Sequence, residues 1–241
     1  MLEAAFWGFV GGGALLIGAV AGIWLPVSNR VVGLVMAFGA GVLVSALAFE
    51  LTREAYEESG GVAVVLGLLA GSAVFFAGDW FIDQRGGHRR KSPKGPQEGA
   101  GAMALVLGAL LDGIPESAAI GVSLIGGGSV GVAVVAAVFL SNVPESLSAS
   151  SGMRAGGRSV RSIMTMWLAV TAASTVAAAL GYGLLAGADP ALIAVIQAFA
   201  AGAILTMLAD TMLPEAVEHA GQFVGVLTVI GFAAAFLLSA A

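Results

Sequence analysis

The sequence predicts an all-α polytopic membrane protein with eight transmembrane helices. Three observations predict this class. Hydrophobic residues make up 59% of the 241 residues and charged residues only 10%, whereas soluble domains are about a quarter charged. Long apolar runs recur along the chain, and the mean hydropathy is +0.98. The 36 glycines allow the close approach of helices on which packing in lipid depends.

Apolar runs of about 20 residues, the length that crosses a bilayer, predict the helices in chain order. They lie near residues 3–25, 31–52, 61–82, 101–125, 128–151, 161–186, 190–215 and 221–240. The one long polar connection, 83–100, contains two prolines and five basic residues and is predicted to be a flexible cytoplasmic loop. We expect residues 1–241 to form a single transmembrane domain in the lipid bilayer.

Basic residues predict the orientation in the membrane. Of the ten lysines and arginines, only Arg53 lies in a loop that follows an even-numbered helix, and Glu54, Glu57 and Glu58 surround it. The positive-inside rule therefore places the odd-numbered loops in the cytoplasm and both termini outside. We expect a multi-pass protein of a bacterial or archaeal plasma membrane, which in many bacteria is the inner membrane.

Several classes of protein are disfavoured. The sequence contains no cysteine, which excludes disulfides and thiolate metal sites. It has no Gly-Lys-Ser/Thr phosphate-binding loop, so nothing indicates ATP hydrolysis. A pair of carboxylates would suit an intramembrane protease, but the Gly-Asp-type partner motif is absent. We therefore predict a protein that is not an enzyme, with no organic cofactor and no nucleic-acid partner.

An internal repeat relates the second and seventh helices. Residues 36–60 align without gaps with residues 197–221. The identical pairs include Phe38/Phe199, Gly41/Gly202, Glu54/Glu215 and Gly60/Gly221. Because these helices cross the membrane in opposite directions, helices one to three and six to eight are predicted to be inverted halves around helices four and five, a 3+2+3 arrangement typical of secondary transporters. The alternative is that helices rich in small residues resemble one another by composition.

A Pro-Glu-Ser motif occurs twice inside uncharged apolar segments, at 115–117 and 144–146. A carboxylate at the bilayer centre costs about 2.5–3.5 kcal/mol on insertion scales. Proline removes a helical hydrogen bond and frees a backbone carbonyl, so Pro115 and Pro144 are predicted to break their helices. Two such costs are hard to explain by structure alone and indicate a cation pathway. The alternative is a protonated glutamate hydrogen-bonded to a neighbouring helix.

Candidate metal ligands surround the two glutamates. Asp112 lies one helical turn before Glu116, so the two carboxylates project from one face and repel each other unless a cation or a proton lies between them. Ser141 and Asn142 precede Glu145 within one turn of the next helix. Carboxylate, amide, hydroxyl and freed carbonyl oxygens together suit a hard divalent cation.

Other polar residues are candidates for a cation pathway. Asp210 precedes a Leu-Pro-Glu sequence in helix seven, and Glu50 is its approximate counterpart in the repeat. Glu215, Glu218 and His219 share one helix face and would form a cytoplasmic exit site. A solvated helix end is the simpler explanation of these three residues.

Taken together, these motifs resemble those of the ZIP (Zrt-, Irt-like) divalent metal transporters of bacterial type, over nearly the whole chain. Glu116 and Glu145 match the metal-bridging glutamates of that family, and the Ala-Ala-Gly at 200–202 and Leu-Pro-Glu-Ala at 213–216 match its seventh helix. The resemblance implies eight helices, both ends outside, a variable cytoplasmic loop after the third helix and a homodimer. It also implies uptake of a divalent metal ion as the substrate.

The metal site departs from the family pattern. Asp112 and Gly113 stand where the family has histidine and asparagine, Ser141 and Asn142 replace its His/Gln and Glu/Asp, and Ser174 replaces a helix-six glutamate. The lost ligands predict one metal position rather than two. Oxygen ligands shift the preference towards manganese, ferrous iron or magnesium, while the resemblance keeps zinc among the candidate substrates.

The sequence thus predicts transport of zinc, manganese or iron into the cytoplasm through a mid-membrane carboxylate site between helices four and five. One helical block would rock against the other around the site. The alternative is a ZIP-fold membrane protein that binds ions or protons without transporting metal, as a scaffold or sensor. Metal-dependent thermal stabilisation without flux would indicate the alternative.

Overall fold

The computed structural model describes residues 1–84, 102–125 and 130–239, with the side chains of 1–84, 106–125 and 134–239. All regular secondary structure in these ranges is helical, which confirms the all-α class. The predicted flexible loop 83–100 lies outside the described residues beyond its first two positions. Five stretches of the described chain are long and apolar enough to cross a membrane. The protein is therefore a helical polytopic membrane protein, and the eight spans stay a prediction.

The helices follow one another in the order of the predicted apolar runs. They are α1 Leu2–Trp24, α2 Asn29–Ala46, α3 Arg53–Ile82, α4 Ala102–Ser123, α5 Val130–Ala155, α6 Val160–Leu185, α7 Pro190–Met207, α8 Leu213–Ala220 and α9 Val224–Ser239. The π-helical turn Leu47–Thr52 joins α2 to α3, and the π-helical turn Leu208–Met212 joins α7 to α8. A 3-10 turn, Gly221–Phe223, precedes α9.

Two predicted helix ends are wrong by five residues or more. The second predicted helix continues past residue 52 to Gly60, which has φ 75° and ψ 168°. The seventh continues past residue 215 to Gly221, which has φ 62°. The hydropathy pattern marks where the apolar run ends, but a helix continues through polar residues until a residue that cannot stay helical interrupts it.

The prediction that Pro115 and Pro144 break their helices is also wrong, since α4 and α5 run through both prolines. Each proline lacks only its own N–H, which leaves the carbonyl four residues earlier without its helical donor. In α5 that carbonyl belongs to Leu140, and Gly39 of α2 packs against it, so that a Cβ on Gly39 would lie 3.2 Å from the oxygen. Packing by a neighbouring helix keeps such a helix intact.

Close approaches at glycine divide the helices into two groups. In the first group, Gly22 of α1 lies against the Leu147 carbonyl of α5, and Gly121 of α4 lies against the Ala178 carbonyl of α6. A Cβ on either glycine would overlap the facing backbone. The first group is thus α1, α4, α5 and α6, and the second is α2, α3, α7, α8 and α9. The main buried core draws on α2, α5 and α7 and so lies where the groups meet.

The second group contains matching contacts in the two aligned segments. In each segment a glycine of one helix lies against the backbone of its partner, and a glycine of the partner lies against the backbone of the first. The contacts are Gly41 with Thr228, Gly231 with Phe38, Gly202 with Leu68 and Gly71 with Phe199. Gly41 and Gly202 are aligned in the sequence repeat, as are Phe38 and Phe199.

Local backbone features also fall in the register of the alignment between 36–60 and 197–221. They are the side-chain N-caps Ser28 and Asp189, the first residues of the π-helical turns Leu47 and Leu208, and the positive-φ glycines Gly60 and Gly221. A composition bias alone does not produce matched caps, π-helical turns and glycine conformations. These features support the repeat, and its inverted 3+2+3 arrangement stays a prediction.

Candidate functional site

Buried polar side chains lie on α4 and α5 at the predicted site. Each of the five predicted ligands is at most 4% exposed: Asp112, Glu116, Ser141, Asn142 and Glu145. A carboxylate removed from water is costly unless a proton, a cation or hydrogen bonds compensate its charge. The three buried carboxylates on α4 and α5 therefore need compensation that apolar packing does not give.

Ser141 connects α5 with α4. Its hydroxyl lies 2.9 Å from the Val138 carbonyl within α5 and 3.5 Å from Oε1 of Glu116 in α4. A hydroxyl has one proton to donate, and the shorter contact holds it. The longer contact brings together two predicted site residues from different helices, and leaves the hydroxyl oxygen beside the Glu116 carboxylate.

Asn142 is tied to a third helix, α1. Its Nδ2 donates to the Gly11 carbonyl at 3.1 Å. Because the partner is a carbonyl, which only accepts, the amide nitrogen must face α1. The other amide atom, Oδ1, is the one that can face a cation.

The two motif helices have matching supports beside their glutamates. The residue two positions after Glu116 is Ala118, and its carbonyl lies 3.1 Å from the place a Cβ on Gly181 of α6 would occupy. The residue two positions after Glu145 is Leu147, whose carbonyl faces Gly22 of α1. The backbone just after each glutamate therefore packs against a glycine of a neighbouring helix, α6 for Glu116 and α1 for Glu145.

A fourth helix, α6, borders the site through Ser174. This serine is buried, and a Cβ on Gly113 would lie 3.4 Å from its Oγ. The backbone next to Asp112 thus faces a hydroxyl where the family resemblance leads us to expect a carboxylate. The single metal position stays a prediction.

The described part of the chain does not gather three or more His, Cys, Asp or Glu side chains into a group that could hold a metal ion. In this conformation fewer than three of these side chains could therefore bind the same metal ion. A cation bound here would also need neutral oxygens, which Ser141 and Asn142 supply.

The candidate pathway residues differ in exposure. Glu50 is buried within the first π-helical turn, and His219 is buried at the end of α8, where Gly33 of α2 packs against it. Glu215 is half-buried, and Asp210 and Glu218 are exposed. π-Helical turns are frequent at functional sites, which draws attention to Glu50 and Asp210, and the role of all five in a pathway stays a prediction.

A cavity that the sequence analysis did not predict opens near the N-terminus of α3. It has a volume of about 610 Å³, and its lining includes Glu54, Glu57, Glu58, Ser123 and Gln197. Gln197 is buried and its Nε2 lies 3.4 Å from Oε2 of Glu54. The three glutamates lie within five residues of one another in the sequence, but only the fold brings them to the end of α4 and the start of α7. The cavity therefore lies between the start of α3, the C-terminal end of α4 and the start of α7.

The chain is similar to a known protein over most of its length. It is 30% identical over 207 residues to an Arabidopsis thaliana protein named "Putative zinc transporter". The alignment covers 85% of this chain and 33% of that protein, so the chain spans about a third of the length of this relative. No protein-family model matches the chain.

Proposed function

We propose that the protein is a ZIP-type transporter that carries a divalent metal cation across the membrane into the cytoplasm, through a site between α4 and α5. One observation carries the proposal: Glu116 and Glu145, from two Pro-Glu motifs, are both buried on these neighbouring helices. Buried carboxylates of this kind mark ion pathways in membrane proteins. The similarity to a protein named as a zinc transporter supports the same function.

In this proposal Glu116 and Glu145 hold the cation, and its charge offsets the cost of burying theirs. Asp112, the Ser141 hydroxyl and Oδ1 of Asn142 complete the set of oxygen ligands. A divalent cation with oxygen donors is expected to be manganese, ferrous iron or zinc. The metal is the substrate, and one ion occupies the site at a time.

The route to and from the site follows the charged groups. In the proposed orientation the cavity lined by Glu54, Glu57 and Glu58 faces the outside, where its carboxylates raise the local concentration of cations. Glu50, buried in the π-helical turn that precedes α3, is the next carboxylate of the proposed route. On the cytoplasmic side the proposed route passes Asp210 of the second π-helical turn and three residues of α8, Glu215, Glu218 and His219.

Alternating access arises from movement between the two helix groups. The group of α1, α4, α5 and α6 carries all five ligands, and the group of α2, α3 and α7–α9 borders them. Rocking of one group against the other opens the site to each side in turn. The eight spans, the 3+2+3 arrangement, the outside termini and the plasma-membrane location belong to the same proposal, as does a homodimer.

A second function is favoured by one observation. The described residues do not gather three acidic or histidine side chains at one point, which would suit a protein of this fold that binds ions or protons as a scaffold or sensor. Such a protein would be stabilised by metal without moving it.

Metal uptake into proteoliposomes tests the proposal. The panel is manganese, iron, zinc, cobalt, cadmium and magnesium, with the Glu116→Gln/Glu145→Gln double variant and the exposed control Glu3→Gln. We expect saturable uptake that falls by about 100-fold or more in the double variant, because two charged ligands are lost. Uptake unchanged by the double substitution would contradict the site. A folded protein stabilised by metal, but with no flux for any ion, would favour the second function.

A further inference from the structure

Two side chains from different helices donate to adjacent carbonyls in the middle of α1. Nδ2 of Asn142 donates to the Gly11 carbonyl at 3.1 Å, and Oγ1 of Thr171 in α6 donates to the Gly12 carbonyl at 2.9 Å. Asn142 is 4% exposed and Thr171 is 3% exposed. A carbonyl inside a helix has a second lone pair that can accept such a bond. α1 is therefore fastened to α5 and α6 at consecutive residues.

These bonds are possible because Gly11 and Gly12 have no side chains. A Cβ on Gly11 would lie 3.0 Å from Cδ1 of Ile120, and a Cβ on Gly12 would lie 3.1 Å from Cβ of Ser174. The α1 backbone thus comes close enough to α4, α5 and α6 for side chains to reach its carbonyls. Glycine at positions 11 and 12 therefore allows the hydrogen bonds from Asn142 and Thr171 to the α1 carbonyls.

We propose that α1 is a positioning element of the cation site: the Gly11 carbonyl orients Asn142 so that its Oδ1 faces the cation, and Thr171 holds α1 in the register that makes this possible. The proposal rests on the proposed function, in which Asn142 is a ligand. Gly11 and Thr171 act through Asn142 and touch no cation themselves. Nothing in the sequence pairs α1 with the motif helices.

If the proposal is correct, residue 142 must be an amide, which can donate to the Gly11 carbonyl and also present an oxygen to the cation. Aspartate has the same shape but cannot donate, so an oxygen would face the Gly11 carbonyl at about the present distance with no hydrogen between them. If residue 142 were a ligand that needed no orientation, aspartate would add a negative charge and tighten the binding of a dication. If the Gly11 contact orients it, the same substitution weakens binding. The two explanations predict changes of opposite sign.

Metal binding to the purified full-length protein in nanodiscs distinguishes them. The probes are Mn²⁺ and Zn²⁺, each alone, measured by titration calorimetry on the wild type, Asn142→Asp, Thr171→Val and Thr171→Ser. Thr175→Val is the matched control, because in the described part of the chain its hydroxyl donates to the Thr171 carbonyl of its own helix and to no other helix. The loss of one hydrogen bond predicts a Kd raised about three- to tenfold in Asn142→Asp and Thr171→Val. Thr171→Ser and Thr175→Val should remain within about twofold of the wild type.

A positioning role also predicts where the effect appears in uptake. Thr171→Val should raise KM by the same factor as Kd and leave the maximal rate within about twofold, because the group that is lost does not bind the ion itself. Thermal melts of each variant identify any that fail to fold. If Asn142→Asp does not fold, the comparison of metal binding by Thr171→Val and Thr171→Ser tests the positioning role without it.

Tighter binding by Asn142→Asp, or unchanged binding by Thr171→Val, would overturn the positioning role while leaving the proposed function intact. A folded wild-type protein that binds neither metal and takes up no ion of the proteoliposome panel would overturn both.

Discussion

Two segments of the chain, 28–60 and 189–221, share a backbone plan but differ in their buried polar side chains. Each begins with a helix whose N-terminus is capped by a side chain, passes through a π-helical turn and ends at a glycine with positive φ, Gly60 or Gly221. Each also has a glycine pressed against the backbone of the partner helix. The two segments thus share these backbone features, and the glycines among them are identical, whereas the N-caps are different residues, Ser28 and Asp189.

Some aligned positions of the two segments differ in whether they hold a buried polar residue. Met36 lies in the apolar core, whereas the aligned Gln197 is buried beside Glu54 and hydrogen-bonds to it. Glu50 is buried in the first π-helical turn, whereas the aligned Thr211 donates to the Met207 carbonyl. Shared backbone features therefore support the repeat, while Glu50 and Gln197 are buried polar residues that the repeat does not share.

The largest expected effect comes from filling the close glycine contacts. A Cβ on Gly41 would overlap the Thr228 carbonyl, and a Cβ on Gly202 would overlap the Leu68 carbonyl. We expect Gly41→Ala and Gly202→Ala each to lower the free energy of unfolding by about 3 kcal/mol, as overpacking against rigid backbone does. Thermal melts of the purified protein in detergent measure this.

The control for these variants is Gly225→Ala in α9, because a Cβ there meets nothing within 4 Å. Alanine is the better helix former, so the control should be neutral or slightly stabilising. Equal losses of stability in Gly41→Ala and Gly202→Ala would support the shared backbone plan of the two segments. A loss in only one of these variants would contradict it.

A smaller effect is expected at the two positive-φ glycines. Gly60 and Gly221 have open space where a Cβ would be, so alanine there meets only the conformational cost, about 1–3 kcal/mol. The same melts should show similar losses for Gly60→Ala and Gly221→Ala. Gly61→Ala, one residue later with ordinary helical geometry, should change little. Unequal losses would mean that the two glycines end their helices for different reasons.

The part of the fold that sequence predicts well is the part set by local physics. Apolar runs predicted the helices because hydropathy is a property of a continuous segment. The same runs misplaced the ends of the second and seventh helices, since polar residues such as Glu54 and Glu215 continue a helix beyond the apolar stretch. The π-helical turns were not predicted, because a shift from i→i+4 to i→i+5 bonding leaves no periodic pattern of its own.

The site was predictable as a set of buried residues but not as a set of contacts. Carboxylates in apolar runs identify Asp112, Glu116 and Glu145, because their burial is costly whatever surrounds them. The bond from Asn142 to Gly11 joins residues far apart in sequence, and a glycine carbonyl has no sequence signature. Proline predicted a break in α4 and α5 that packing of neighbouring helices prevents.

The smallest expected effect concerns the hydrogen bond that distinguishes the second segment. Gln197→Met gives that position the residue aligned with it in the first segment and removes the donor to Glu54. We expect the free energy of unfolding to fall by about 1 kcal/mol, the usual contribution of one such bond. Glu54→Gln keeps an acceptor for Gln197 and should cost less. The decisive measurement is Gln197→Met in a Glu54→Ala background, where the substitution should have no further effect on the melt. If Gln197→Met costs as much without Glu54, then Gln197 is retained for its own packing, and the polar difference between the two segments does not depend on the cavity.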